Sequence, residues 1–161
     1  MGFRLPPTPA RRVGFELAAP SEIELSPAGE TVRCRERDGG RTIGELEITV
    51  FRAALVIDRD GILEDKVRVG IEAAISSGAR VLEPVPVELA GASGYRADAE
   101  YQRGGARPAL PYVYVFAIAP DDLGVDGGVL ITVRSASPEW PAADAILRSL
   151  KLLSRRSATG N

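Results

Sequence analysis

Residues 110–119 read Leu-Pro-Tyr-Val-Tyr-Val-Phe-Ala-Ile-Ala, and this stretch decides the fold. Aromatic and β-branched residues dominate it, which marks a strand. Successive side chains of a strand point to opposite faces. Tyr112, Tyr114, Phe116 and Ile118 therefore share one face, and Val113, Val115, Ala117 and Ala119 the other. Both faces are apolar, a pattern that belongs to a strand covered on both sides. The stretch is read as a central strand between two layers.

Working outward, residues 93–103 set Tyr95, Ala97, Ala99 and Tyr101 opposite Arg96, Asp98, Glu100 and Gln102. Residues 128–135 carry Val129, Ile131 and Val133 on one face. Residues 80–90 place Val81, Val85, Val87 and Leu89 on one side, while Pro84 and Pro86 argue for an edge or a bulge. These four consecutive strands are joined by short loops and so run antiparallel. Further upstream, Val13, Phe15 and Leu17 alternate as an entry strand, and Ile23 and Leu25 do so briefly.

Residues 31–52 form a hairpin around Asp38-Gly39-Gly40, a turn signal. A two-residue Gly39-Gly40 loop would set Cys34 opposite Glu45 and mix apolar with polar faces. A three-residue Gly39-Gly40-Arg41 loop instead pairs Cys34 with Leu46, Val32 with Ile48, Arg35 with Glu45 and Arg33 with Glu47. A slip of one residue inverts every side chain, so the face-consistent register is expected. Each cross-strand ion pair then adds about 0.2–1 kcal/mol.

Two stretches carry helical periodicity instead. Leu63, Val67, Ile71, Ala74 and Ile75 form one apolar stripe, with Asp60 expected as N-cap, Glu64 and Asp65 near the N-terminal end and Gly78 closing the helix. Trp140, Ala143, Ile146, Leu147 and Leu150 form a second. It starts either with Ser137 as cap and Pro138 first, or with Trp140 before Pro141. The helices are expected on opposite faces, giving an α+β fold with a mainly antiparallel sheet flanked by two helices. One domain over residues 13–153 is predicted. Residues 1–12, with Pro6, Pro7 and Pro9, read as an extended arm, and residues 154–161 as a second flexible tail.

The inventory of reactive groups is short. The 161 residues include no histidine and one cysteine, Cys34. That removes Ser–His–Asp and Cys–His triads, His/Cys zinc sites and any intrachain disulfide. The net charge of −2 offers no electrostatic lure for nucleic acid. No run of eighteen apolar residues exists, so no membrane-spanning helix is expected, and the absence of a signal-like N-terminus points to the cytoplasm.

Asp58-Arg59-Asp60-Gly61 looks like the tail of a calcium loop, but Val56 and Val67 stand where ligands are needed. Asp121, Asp122 and Asp126 fail the same test at Gly124 and Val133. Gly104-Gly105 follows a strand without opening a helix and reads as a turn, not a phosphate cradle. Cys34 falls on an apolar face and reads as an inert buried thiol. Arg11, Arg12, Arg155 and Arg156 read as solvated terminal charges. The carboxylates Glu45, Glu47, Asp98 and Glu100 lie on polar strand faces, and arginine partners keep Glu45 and Glu47 ionised. No metal site or cofactor is expected.

Two candidate surfaces remain. The charged strand faces, with Arg33, Arg35, Glu45, Glu47, Arg96 and Glu100, are a candidate partner surface. Tyr95, Tyr101, Tyr112 and Tyr114, with Phe116, are a candidate lining for an apolar ligand between helix and sheet.

From Val87 to Leu153 the succession is an apolar strand ending at Gly91, then GYRADAEY, LPYVYVFAIA and GVLITVRS, then Trp140 and a closing AILRSLKLL with Ile146, Leu147, Ser149 and Leu150. This succession resembles the PsbP-like α/β/α sandwich superfamily, which includes DcrB and LpqN lipoproteins and the Eag chaperones of type VI secretion. The resemblance implies an accessory role as assembly factor, chaperone or adaptor, and supplies no catalytic residues. Together with the inventory it leads to a non-catalytic protein-binding module whose partner is another protein. A binder of a small apolar ligand is the alternative, and a carboxylate- or metal-dependent hydrolase the third.

Overall fold

The strands marked by alternation are present in a computed structural model, which describes residues 1–52, 58–102, 104–120 and 127–154. In chain order the elements are β1 (Gly2–Leu5), β2 (Val13–Ala18), β3 (Glu24–Ala28), β4 (Thr31–Asp38), β5 (Arg41–Arg52), α1 (Arg59–Ala74), β6 (Ala79–Val81), β7 (Val85–Leu89), β8 (Ala92–Tyr101), β9 (Tyr112–Ala119), β10 (Gly127–Ser135), α2 (Pro141–Ser149) and β11 (Lys151–Ser154). They build two sheets whose described pairings are all antiparallel. The larger has eight strands in the order β3-β4-β5-β10-β9-β8-β6, with β7 beside β6 on the same edge of β8. The smaller has three, β1-β2-β11.

The fold is α+β, a mainly antiparallel sheet flanked by helices, and β9 is an interior strand between β10 and β8, covered on both sides as its two apolar faces require. Val113, Val115, Ala117 and Ala119 pack under α1 with Leu63, Val67 and Ile71. Phe116 and Ile118 join the opposite core with Val32, Cys34, Leu46 and Ile48 from the hairpin, Phe15 from β2 and Ile146 from α2. α2 thus shares its face with the small sheet, which periodicity had not announced.

Hairpin register is as expected: Cys34 opposes Leu46, Val32 opposes Ile48, Arg35 opposes Glu45 and Arg33 opposes Glu47. The route to it differs. Asp38 pairs with Arg41 across a two-residue turn, Gly39 and Gly40 having φ of 60° and 82°. Such positive angles suit glycine and a hairpin turn. A bulge then restores the faces, since Arg37 opposes Thr42 whereas Glu36 opposes Gly44, leaving Ile43 as the extra residue.

Several other expectations are corrected. Residues 2–5 are not part of a loose arm: β1 pairs with β2, and the Phe3 and Phe15 rings lie 5.6 Å apart. Ser154 pairs with Val13 and so belongs to the folded unit. Residues 80–90 are broken at 82–84 into β6 and β7, consistent with the prolines there. α1 is capped by Asp58, whose carboxylate accepts from the Gly61 amide at 3.0 Å, while Asp60 sits inside the first turn. The helix ends at Ala74, before Gly78. α2 starts at Pro141 with Trp140 as its N-cap residue, which selects the second of the two starts. It stops at Ser149, and the following Lys-Leu-Leu-Ser is a strand.

Candidate functional site

The six charged residues grouped in the sequence do not form one surface. β4 and β5 turn Arg33, Arg35, Glu45 and Glu47 toward the α1 side of the large sheet, whereas β8 turns Arg96 and Glu100 to the opposite side. On the α1 side, Arg33 donates to Glu47 at 2.9 Å and Arg35 to Glu45 at 3.0 Å. The hydrogen bond that Arg33 donates to Glu47, together with the carboxylate's charge, raises the Arg33 pKa. α1 packs on β8, β9 and β10 and reaches β5 at Phe51, where the Lys66 ammonium lies 5.3 Å from the ring, so its cover runs out toward β4 and β3.

The tyrosines separate in the same way. Tyr95 and Tyr101 pack beside α1, and the Tyr101 hydroxyl meets Ser76 through its amide at 3.1 Å. Tyr114 belongs to the other core, and Tyr112 shares its strand face, with Arg107 5.8 Å from its ring. The proposed four-tyrosine lining is therefore not assembled. Tyr95 instead borders a hollow of about 460 Å³ with Asp60 and Glu88 on its rim. Burial raises its phenol pKa, and Asp60, Glu64 and Asp58 add to that.

A second concavity lies on the opposite side of β8. It is a groove of about 830 Å³ between the end of β7 and α2. Leu89 and Gly91 line one wall, Leu147 and Arg148 the other, and Phe116 and Arg96 lie between them. α2 reaches this position because Ile146 and Ala143 are buried against the sheets, which turns Asp144 and Arg148 outward.

Arg96 organises the floor. It holds Asp98 through both ends of its guanidinium, at 2.8 and 3.0 Å. The same group lies 4.1 Å from the Tyr114 ring centre and 5.3 Å from that of Phe116. Arginine stacked on aromatic faces combines cation–π attraction with a flat apolar surface. Burial pushes the Tyr114 phenol pKa up against the opposing pull of Arg96, and Asp144 and Asp98 push it further. At neutral pH the floor is thus a charged plate on neutral rings.

The remaining expectations can be placed. Cys34 is buried, and burial pushes its thiol up to about 12. Arg11 is fixed, not solvated: it donates to the Pro6 carbonyl at 2.6 Å and approaches Glu30 at 3.7 Å. Among the described residues no cluster of three acidic or cysteine side chains could hold a metal. No described helix is long and apolar enough to cross a membrane. Asp121, Asp122, Asp126, Val56, Arg155 and Arg156 lie outside the described residues. The groove wall contributed by Arg148 and Lys151 escaped the sequence reading, because the contact between β7 and α2 spans more than fifty residues. Polar residues flanking the apolar stripe of α2 were its only trace.

No family model and no curated protein matches the chain. Among solved structures it is similar to a protein from Bacteroides thetaiotaomicron VPI-5482, with a TM-score of 0.52 and 11% identity. The match covers 98% of this chain and 49% of that one, so the chain spans about half the length of its neighbour. At that identity the likeness extends to the fold alone.

Proposed function

We propose that the chain is a non-catalytic protein-binding module, adaptor- or chaperone-like, which holds a segment of its partner in the groove between β7 and α2. The observation that carries this reading is the Arg96 plate on Tyr114 and Phe116, set beside Leu89 and Leu147. Arginine and aromatic residues are the side chains that most often anchor protein interfaces. The groove has the volume to take a few apolar side chains, and its lining sets Arg96, Arg148 and Lys151 against Glu88 and Asp144, a cationic excess that favours a segment which also carries acidic residues. The accessory role implied by the PsbP-like resemblance agrees with this reading. The arginine partners of Glu45 and Glu47 support a structural role for those carboxylates over hydrolysis.

Selection of a random peptide library on the folded protein tests it. Enriched peptides are expected to mix apolar and acidic residues, and to lose most of their binding to Arg148→Glu/Lys151→Glu. These two exposed positions lie outside the core, so the variant keeps its fold. No enrichment, or enriched peptides indifferent to the double variant, would overturn the proposal.

A further inference from the structure

α2 runs almost directly into β11, and Lys151 at that junction borders two hollows at once. On one side it closes the β7–α2 groove. On the other it borders a hollow of about 400 Å³ on the outer face of the small sheet, with Gly2, Arg4, Glu16, Ala18 and Ser149. Strand register explains the second hollow. Lys151 opposes Glu16 and Glu16 opposes Arg4, so these side chains form one row with signs plus, minus, plus. Phe15, Leu17 and Leu152 alternate with them and turn inward to the core. Gly2 opposes Ala18 in the adjoining row, and their lack of bulk leaves the depression. Ser149 closes its end, where its hydroxyl accepts from the Ala18 amide at 2.9 Å.

The charges along this path are unevenly matched. Glu16 approaches Arg4 at 3.5 Å. Among the described residues no carboxylate pairs with Arg148 or Lys151. A lane of cations therefore leads from the apolar groove, past Lys151, to Arg4. We propose that the segment held in the groove continues across Lys151 onto the small sheet, where an acidic stretch lies over Gly2 and Ala18. This rests on the groove reading and divides the segment's chemistry in two. Apolar side chains meet Leu89, Phe116 and Leu147, and carboxylates follow for Arg148, Lys151 and Arg4. The second hollow is open to water, so its cations attract a carboxylate without the cost of burying it.

Fluorescence anisotropy with a peptide selected on the groove tests the continuation. The peptide is made bare, with a run of glutamates at its N-terminus, and with the same run at its C-terminus; glutamine runs serve as controls. One glutamate extension is expected to tighten binding roughly fivefold at low salt, as two or three exposed ion pairs allow. Its counterpart at the other end points away from the hollow and is expected to add far less. The gain is expected to vanish in Arg4→Gln and in Ala18→Trp, which fills the hollow. Both positions are exposed, so the fold is kept and the bare peptide binds these variants as it binds wild type. Equal gains from both ends, or a gain that survives both variants, would overturn the continuation and leave the groove reading standing. A glutamate run without the apolar part that binds as tightly as the extended peptide would make the hollow an independent anion site, and would overturn it too. If no peptide is selected on the groove at all, both readings fall.

Discussion

β5 and β9 pair with opposite edges of β10, yet they spend their side chains differently. In β5, Leu46, Ile48 and Val50 enter the core while Glu45, Glu47 and Thr49 face outward. In β9 both alternations are buried, one under α1 and one against the small sheet and α2. One hydrogen-bonded sheet therefore passes from two-sided to one-sided burial within two strands. The position of α1 makes the difference, because a helix covers only about two or three strands' width. What lies beyond its reach must be polar or be covered by something else.

Neighbouring substitutions should break this comparison most plainly. Phe116→Ala is expected to cost about 3–5 kcal/mol in chemical denaturation. On the one-sided strand, Leu46→Ala should cost about 2–5 kcal/mol. Leu147→Ala should fall in the same range if α2 is docked as described. Val115→Ala, adjacent to Phe116 but on the α1 face, should still cost about 1.5–3 kcal/mol. Glu47→Ala, adjacent to Leu46, should stay within ~1 kcal/mol because its ion pair is largely solvated. Equal losses at Leu46 and Glu47 would mean that the polar face is covered.

Cys34 sharpens the picture of the shared core. Burial holds its thiol at about 12 rather than the ordinary 9.0. Below pH 9 the folded and unfolded chains both keep the proton, so the site makes no pH-dependent difference. From pH 9 toward 12 the unfolded chain alone ionises, and stability falls as pH rises. Cys34→Ala should flatten that limb relative to wild type in urea midpoints compared across the window. A thiol reagent at neutral pH should react only on unfolding. The smallest expected effect is the coupling of Arg33 to Glu47, about 0.2–1 kcal/mol in a double-mutant cycle.

Legibility in the sequence followed the range of the determining interaction. β9 could be read as central because its own residues carry the pattern on both faces. The hairpin register was readable because apolar Cys34 and Leu46 constrain each other within twelve residues. The bulge at Ile43 was not, since a longer turn and a bulged strand produce the same pairing further along. β1 was hidden by the prolines after it, although Phe3 and Leu5 alternate with Arg4, and β11 was read into the helix before it. Their strand character depends on β2, far away in sequence. The site suffered most from this limit: alternation assigned Arg96 and Arg33 correctly to polar strand positions, but not to opposite sides of one sheet.

Trp140 turns the seam between α2 and the hairpin into something that can be watched. It is the chain's single tryptophan, 7% exposed, and its indole rests where a side chain on Gly44 would have to stand. Its fluorescence therefore comes from one joint rather than from the average of the molecule. Should α2 lift from β5 before the sheet melts, emission would shift ahead of the far-ultraviolet signal, giving an unlabelled optical report on that single opening step.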